Sequence, residues 1–313
     1  MNLHELRTFV SIAQLGGVTR AAAQLHRSQP AITRRIKLLE DQLEAPLVER
    51  RPGGSILTDA GRTFLPYAEA VLATLKDGTQ AVRALQGADH GAVSLAIVGT
   101  LASTTIVDQL RRFSAKHRNA RFELRTANSF EVSDMVRRGD VSLGLRYFGD
   151  PSPKLLSRQI SQERMVVVCS PRHKWAGKRL RDPAPLRSDQ WFALPMTRHR
   201  DSFAHLVARQ LAAAQLDDVP VMAIDSLTAQ KRLIEAGIGI ALLPESSIRE
   251  ELRLGTLRTI DISQLQTTVP IHVLYRKNGY LTGASRTLLA LLSNVPGRPT
   301  ATTEQNRKRK SVQ

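Results

Sequence analysis

The chain has 313 residues, 42% of them hydrophobic and 23% charged. That balance excludes a disulfide mini-protein, a disordered chain and a membrane-spanning bundle, and leaves room for two or three cored units. Its 45 Lys and Arg against 28 Asp and Glu leave a formal charge of +17, which points to polyanionic partners such as nucleic acid or an acidic membrane surface. The single cysteine, Cys169, cannot close an internal disulfide, and no Cys/His spacing resembles a zinc ligand set. A reducing compartment, the cytoplasm, is therefore expected. His4, Glu5 and Arg7 interrupt the first apolar residues, so neither a signal-peptide core nor a membrane span is expected.

From the N-terminus, Leu3, Leu6, Phe9, Val10 and Ala13 fall on one helical face, and Gly16-Gly17 reads as the stop. Thr19 is the expected cap of a short second helix over 20–25, whose small Ala21-Ala22-Ala23 run lets another helix approach closely. After a turn at His26-Arg27, Ser28 is expected to cap a third helix, with Pro30 in its first turn and Ile32, Ile36, Leu39 and Leu43 as the buried stripe. This is a helix-turn-helix pattern. LVERRPGGSILT, residues 47–58, reads as a small hairpin or wing around Pro52-Gly53-Gly54. A long helix over about 58–85 follows, with Phe64, Ala68, Val71, Leu75, Val82 and Leu85 on one seam, from which a dimer is inferred. Pro66 and Gly78 suggest a local kink or close approach.

Residues 87–91 read as a linker, and beyond them strands alternate with helices. Strands are expected at 93–98, 121–126 and 141–146, with helices at 103–117 and 129–138. A second series has strands at 165–169, 191–194, 219–224 and 238–243, with helices at 202–214 and 226–236. A last strand at 271–275 and a helix at 283–292 complete one lobe. The alternation implies parallel sheet with crossover helices in two α/β lobes. Residues 296–313, with Arg307-Lys308-Arg309-Lys310, show no apolar periodicity and are expected to form a disordered basic tail.

Residues 19–50, TRAAAQLHRSQPAITRRIKLLEDQLEAPLVER, resemble the DNA-binding signature of LysR-type transcriptional regulators. Ala21, Ala22, Leu25, Ser28, Gln29, Pro30, Ala31, Ile32, Ile36, Leu39, Glu40, Leu43, Leu47 and Arg50 carry the likeness, followed by Leu57-Thr58 and Ala60-Gly61. The departures are Thr33 where serine is common, Glu44 where glycine is usual and Val48 where phenylalanine is usual. GAVSLAIVGT, the RRGD before VSLGLR, and the EAGIGIALLP run look like the family's effector-binding region. The resemblance implies an all-α winged helix-turn-helix (1–58), a linker and dimerisation helix (59–87), and an α/β two-lobe effector domain like periplasmic binding proteins. Lobe I would be 91–163 with 269–295, lobe II 164–268, and two hinge strands would cross between them. It further implies a dimer or tetramer on promoter DNA, a small-molecule effector between the lobes and contact with RNA polymerase.

On a helix in the major groove, glutamine pairs with adenine and arginine with guanine, so Gln29, Thr33 and Arg34 are the candidate base readers. Ser28 opens that helix, and Pro30 and Ala31 offer apolar contact to thymine methyls. Arg35, Lys37, Arg50, Arg51 and the backbone at Gly53 and Gly54 are the candidate phosphate contacts. The alternative is a solvated basic helix face. Charge is not concentrated there: residues 1–87 hold 11 basic and 8 acidic residues, whereas 88–295 hold 29 and 19.

In the effector region Gly99-Thr100, Asn128-Ser129 and Asp225-Ser226 each stand at a helix start, where backbone N–H groups and hydroxyls suit an anion. Thr100, Ser103, Ser129, Ser226 and Arg146, which ends the strand LGLR, are the candidate effector ligands, and a carboxylate is the expected chemistry. The competing readings are helix capping for each hydroxyl and an ion pair of Arg146 with Asp140 or Asp150. Arg198 and His199 either reach in from the second lobe or form a surface loop. Cys169, in the run 166–169, reads as a buried thiol. Gly237-Ile238-Gly239 lacks the third glycine of a dinucleotide fingerprint and precedes its strand, and no nucleophile elbow, P-loop or metal pair is present. No catalytic group, metal or cofactor is expected. A two-lobe binding protein or enzyme with an incidental DNA-binding head, and an architectural binder acting through charge alone, remain as alternatives.

Overall fold

The computed structural model describes residues 1–52, 54–85, 92–103, 105–117, 120–196 and 202–293, which form two compact units. In the first, α1 (Leu3–Leu15) opens with a reciprocal cap: Asn2 Oδ1 accepts the N–H groups of His4 and Glu5 at 2.9 and 3.1 Å, while the Glu5 carboxylate accepts the Asn2 N–H at 2.8 Å. Gly16, at φ 67°, closes it. Helix α2 (Val18–Gln24) starts directly after Gly17, so Thr19 lies inside the helix and is not its cap; the tight exit from α1 leaves no residue to spare. Helix α3 (Gln29–Leu43) has Ser28 at its N-cap position, although the hydroxyl makes no capping bond there. Ile32, Ile36 and Leu39 are buried against Phe9, Ile12 and Ala21 in one core.

Strands β1 (Val48–Arg51) and β2 (Gly54–Leu57) pair antiparallel as the wing, Arg51 opposite Gly54. The wing is tied down at both ends. Glu40 Oε1 accepts the N–H groups of Leu47 and Val48 at 2.7 and 3.1 Å, and Ser55 N–H donates to Gly16 O at 2.9 Å. Helix α4 (Asp59–Leu85) runs 27 residues, about 40 Å, through Pro66 without interruption. Its expected single seam divides. Phe64 and Ala68 pack into the first unit's core, Phe64 meeting Phe9 at 5.7 Å between ring centroids, whereas Val71, Leu75 and Val82 are exposed. The Leu85 side chain lies outside the described residues.

The second unit is α/β. In chain order it comprises β3 (Val93–Val98), a 3-10 turn (Gly99–Ser103), α5 (Thr105–Lys116), β4 (Phe122–Ala127), α6 (Ser129–Arg137), β5 (Leu143–Tyr147), β6 (Leu155–Cys169), β7 (Arg179–Leu180) and β8 (Trp191–Ala193). Then come α7 (Phe203–Ala213), β9 (Val221–Ala223), α8 (Leu227–Glu235), β10 (Ile240–Pro244), a 3-10 turn (Glu245–Ile248), α9 (Arg249–Leu254), β11 (Arg258–Ile262), β12 (Thr267–Arg276) and α10 (Gly283–Ser293). The sheet runs β4-β3-β5-β12-β6-β10-β8-β9. At one end β4, β3 and β5 are parallel, and at the other so are β10, β8 and β9; antiparallel β12 and β6 join the two sets. These are two lobes with two crossing strands.

The crossing strands are longer than the sequence pattern suggested. β6 extends over 15 residues, pairing β12 along its first part and β10 and β11 along its end. β7, α9 and β11 lie in stretches the pattern left unassigned. In lobe II both sheet faces are covered: Val167 and Cys169 join one core and Val166 and Val168 another, which is why that run is apolar at every position. In lobe I, α6 lies so close on β5 that a Cβ at Gly144 would come within 2.7 Å of Val136 and 2.8 Å of Val132. That approach sets the position of Ser133 over Arg146. No described helix is long and apolar enough to cross a membrane, and the basic tail lies outside the described residues.

Candidate nucleic-acid interface and ligand cleft

The stripe that buries α3 turns its first two turns outward. Ser28, Gln29, Pro30, Arg34 and Lys37 are exposed, and Ala31, Thr33 and Arg35 are half-buried at the margin of the core. Gln29, Arg51, Gly54 and Ser55 line one shallow recess with Thr19 and Arg20, so the helix start and the wing present a common surface. Arg51 is exposed and pairs with Glu49 at 3.3 Å. The Arg50 side chain and Gly53 lie outside the described residues. Gly54 has a packing reason to be glycine: a Cβ there would stand 2.5 Å from Gly16 O. Arg20, which sequence reasoning passed over, donates to Gly16 O at 2.8 Å and also to Leu15 O, closing the carbonyl end of α1. Beyond Lys37 the sign of the surface changes. Glu40, Asp41 and Glu44 line a recess with Thr33 and Lys37, and three carboxylates repel a phosphate backbone. The anion-compatible face therefore ends at Lys37, where the third turn of α3 begins.

In the second unit a cleft of about 1070 Å³ opens at the carboxyl ends of the parallel strands of both lobes, lined by Val98, Thr100, Ala127 and Arg146 from one and Leu194, Phe203 and Asp225 from the other. Thr100 and Ser129 line it as expected. Asn128, not Ser129, caps α6, trading bonds of 3.0 Å with Glu131 in both directions, so the Ser129 hydroxyl is not consumed by capping. The Ser103 side chain lies outside the described residues, as do Arg198 and His199. Ser226 is a correction. Its hydroxyl accepts the Ala229 N–H at 3.3 Å as the cap of α8, and it does not line the cleft.

Arg146 lines the cleft but is already engaged. It pairs with Asp150 at 3.0 Å and donates to Ser133 Oγ at 2.7 Å and to the Tyr147 carbonyl at 3.1 Å. The ion-pair reading holds for Asp150; Asp140 instead pairs with Arg138. Sequence reasoning missed Ser202 and Phe203, which enter the cleft at the start of α7. A serine before an apolar run was the available signal, and Ser202 does accept the His205 N–H at 3.4 Å. Behind Arg146, on β12, His272 Nδ1 lies 3.0 Å from Ser157 Oγ. Burial, and then the Arg146 charge, hold this imidazole below its ordinary range. Burial, and then Asp189, push the Cys169 thiol up to about 12, which leaves it unreactive. Among the described residues no group of three or more His, Cys, Asp or Glu side chains is placed to hold a metal.

Two family models match the chain: a bacterial regulatory helix-turn-helix protein of the lysR family over residues 3–62, and a LysR substrate binding domain over 86–296. The HTH-type transcriptional regulator TfdS of Cupriavidus pinatubonensis is 28% identical over 276 residues, covering 88% of this chain and 92% of that protein. ClcR of Pseudomonas putida, also an HTH-type transcriptional regulator, is 27% identical over 293 residues, covering 93% and 98%. Among solved structures, CbnR, a LysR family transcriptional regulator, is 26% identical with a TM-score of 0.64, covering 93% of this chain and 98% of that one. Full-length CbnR complexed with its target DNA gives 26% and 0.62, covering 93% and 99%.

Proposed function

Because the chain belongs to the LysR family and is a DNA-binding transcriptional regulator with an effector-binding domain, we propose that α3 reads promoter DNA from the major groove and that the interlobe cleft takes the effector. Gln29, Thr33 and Arg34 contact base edges, and Pro30 and Ala31 contact thymine methyls. Ser28, Arg35, Lys37, Arg50, Arg51 and the wing backbone at Gly53 and Gly54 hold phosphates. The observation that carries this reading is the outward face of the first two turns of α3, continuous with the wing and bounded by Glu40, Asp41 and Glu44. Its relatives are transcriptional regulators and not enzymes.

The effector is a small acid with an apolar body. Its carboxylate replaces Asp150 on Arg146, with Thr100, Ser129 and Ser103 as hydroxyl partners and Phe203 against the body. The exposed Val71, Leu75 and Val82 of α4 support pairing of two chains through this helix, and a tetramer formed from two such pairs. The regulator works in the cytoplasm and reports to RNA polymerase, with effector binding shifting the population between two assemblies on DNA. Footprinting on the region upstream of its own gene tests the DNA reading. A discrete protected stretch that survives excess random DNA supports it. Protection lost equally to random DNA, with steep salt dependence, would show a charge-only binder instead.

A further inference from the structure

The cleft is charged against the rest of the molecule. The chain carries +17, yet the ionised side chains lining the cleft, among the described residues, are Glu131, Asp150 and Asp225 against Arg137 and Arg146. Both cations are already neutralised within lobe I. Arg146 pairs with Asp150 at 3.0 Å, and Arg137 with Asp134 on the same helix, α6. Glu131 is partly spent, one carboxylate oxygen accepting the Asn128 N–H at 3.0 Å. Asp225 differs from all of these. It follows β9 in lobe II, it is exposed, it lines the cleft, and its side chain makes no hydrogen bond or ion pair with any described residue. Helix capping does not claim it, because Ser226 already accepts the Ala229 N–H at the start of α8. The lobe II wall thus presents a free carboxylate, and the lobe I wall a guanidinium.

A simple acid suits these walls poorly. Its carboxylate on Arg146 breaks a pair whose side chains are only 6% and 8% exposed, leaves Asp150 uncompensated, and shares the cavity with Glu131 and Asp225. A simple amine would use Asp225 but neither Arg146 nor the hydroxyls of Thr100 and Ser129 in the other lobe. From the free Asp225 in one lobe and Arg146 in the other we infer that the effector is a zwitterion, a carboxylate and an ammonium on one apolar body. Arg146 holds its carboxylate and Asp225 its ammonium, while Leu194 and Phe203 offer apolar contact to the body. A molecule without net charge leaves the charge balance of the cleft unchanged, and the three N–H donors of an ammonium can serve both Asp225 and a displaced Asp150. Because its two charged ends are held by different lobes, a zwitterion ties one lobe to the other, which neither the acid nor the amine alone does. The inference rests on the cleft being the effector site, and it narrows the small acid to an amino acid.

The test is calorimetric titration of the full chain with phenylalanine and 6-aminohexanoate, each beside the acid that lacks its amino group, 3-phenylpropionate and hexanoate. Wild type, Asp225→Asn, Asp225→Glu and Arg146→Met/Asp150→Leu are compared. The expected result is that at least one amino acid binds wild type about fivefold or more tightly than its deaminated partner, the ratio an ion pair open to water can supply. Asp225→Asn, at an exposed position where the Tm stays at the wild-type value, abolishes that preference without weakening the acid, and Asp225→Glu keeps it. Failure of both amino acids to bind wild type, equal affinities within each pair, or a preference that survives in Asp225→Asn overturns the zwitterion. If acids bind as well as amino acids and all binding is lost in Arg146→Met/Asp150→Leu, the cleft stands and only the zwitterion falls. Binding untouched by that double variant removes the cleft as well.

Discussion

Arg146 and Asp150 form a 3.0 Å ion pair in the cleft wall, with side chains only 6% and 8% exposed. So thorough a withdrawal from water makes the pair costly to break and leaves Asp150 uncompensated when Arg146 is removed. Arg146→Ala is expected to destabilise the protein by about 3 kcal/mol, and Arg146→Met/Asp150→Leu to recover most of that loss. Urea unfolding measures both. A single variant no worse than a surface substitution would show that the pair carries no structural weight.

Glu44 ends α3 at φ 52°, in the left-handed region where a Cβ crowds the following carbonyl. Glycine, usual at this position in the family pattern, escapes that crowding. Glu44→Gly should therefore raise stability by about 1 kcal/mol, and Glu44→Val should lower it. Denaturation midpoints decide the matter, and a loss in the glycine variant would refute it.

His272 provides a pH dependence of definite sign. The folded protein holds its imidazole below the ordinary 6.5, so the unfolded chain binds a proton that the native state resists. Stability is then complete above about pH 6.5 and declines as the pH falls from there toward the lowered native value. His272→Gln should flatten the Tm against pH profile in that window. An unchanged slope would mean that other groups govern the acid limb.

The helix-turn-helix was legible because Ile32, Ile36 and Leu39 repeat at helical spacing and Gly16 punctuates the chain before them. The parallel strands were legible as apolar runs, Val93–Val98 being the plainest. What escaped notice follows from the same physics. The first ten residues of β6 alternate between burial and exposure irregularly, and a register shift opposite Ile271 and His272 breaks the period, so local pattern gives no strand there. Thr19 looked like a cap because threonine favours such positions, but the chain had already turned at Gly17. In the cleft, Thr100 and Arg146 were readable from their places at strand ends. The capping of α8 by Ser226 was one of the two readings its sequence allowed, whereas the arrival of Ser202 and Phe203 in the same cleft as Arg146 was not readable, because it depends on contacts between residues distant in the chain.

The central claim is that the outer face of α3 reads bases, and operator affinity of the full-length Gln29→Ala/Arg34→Lys variant tests it most directly. This variant keeps the charge, so random-DNA binding and its salt dependence should stay near wild type. Operator binding should fall by about 100-fold, since each bidentate pairing of a side chain with a base is worth roughly 1–3 kcal/mol. Operator preference undiminished in a folded variant would contradict the assignment of α3 as the reading helix.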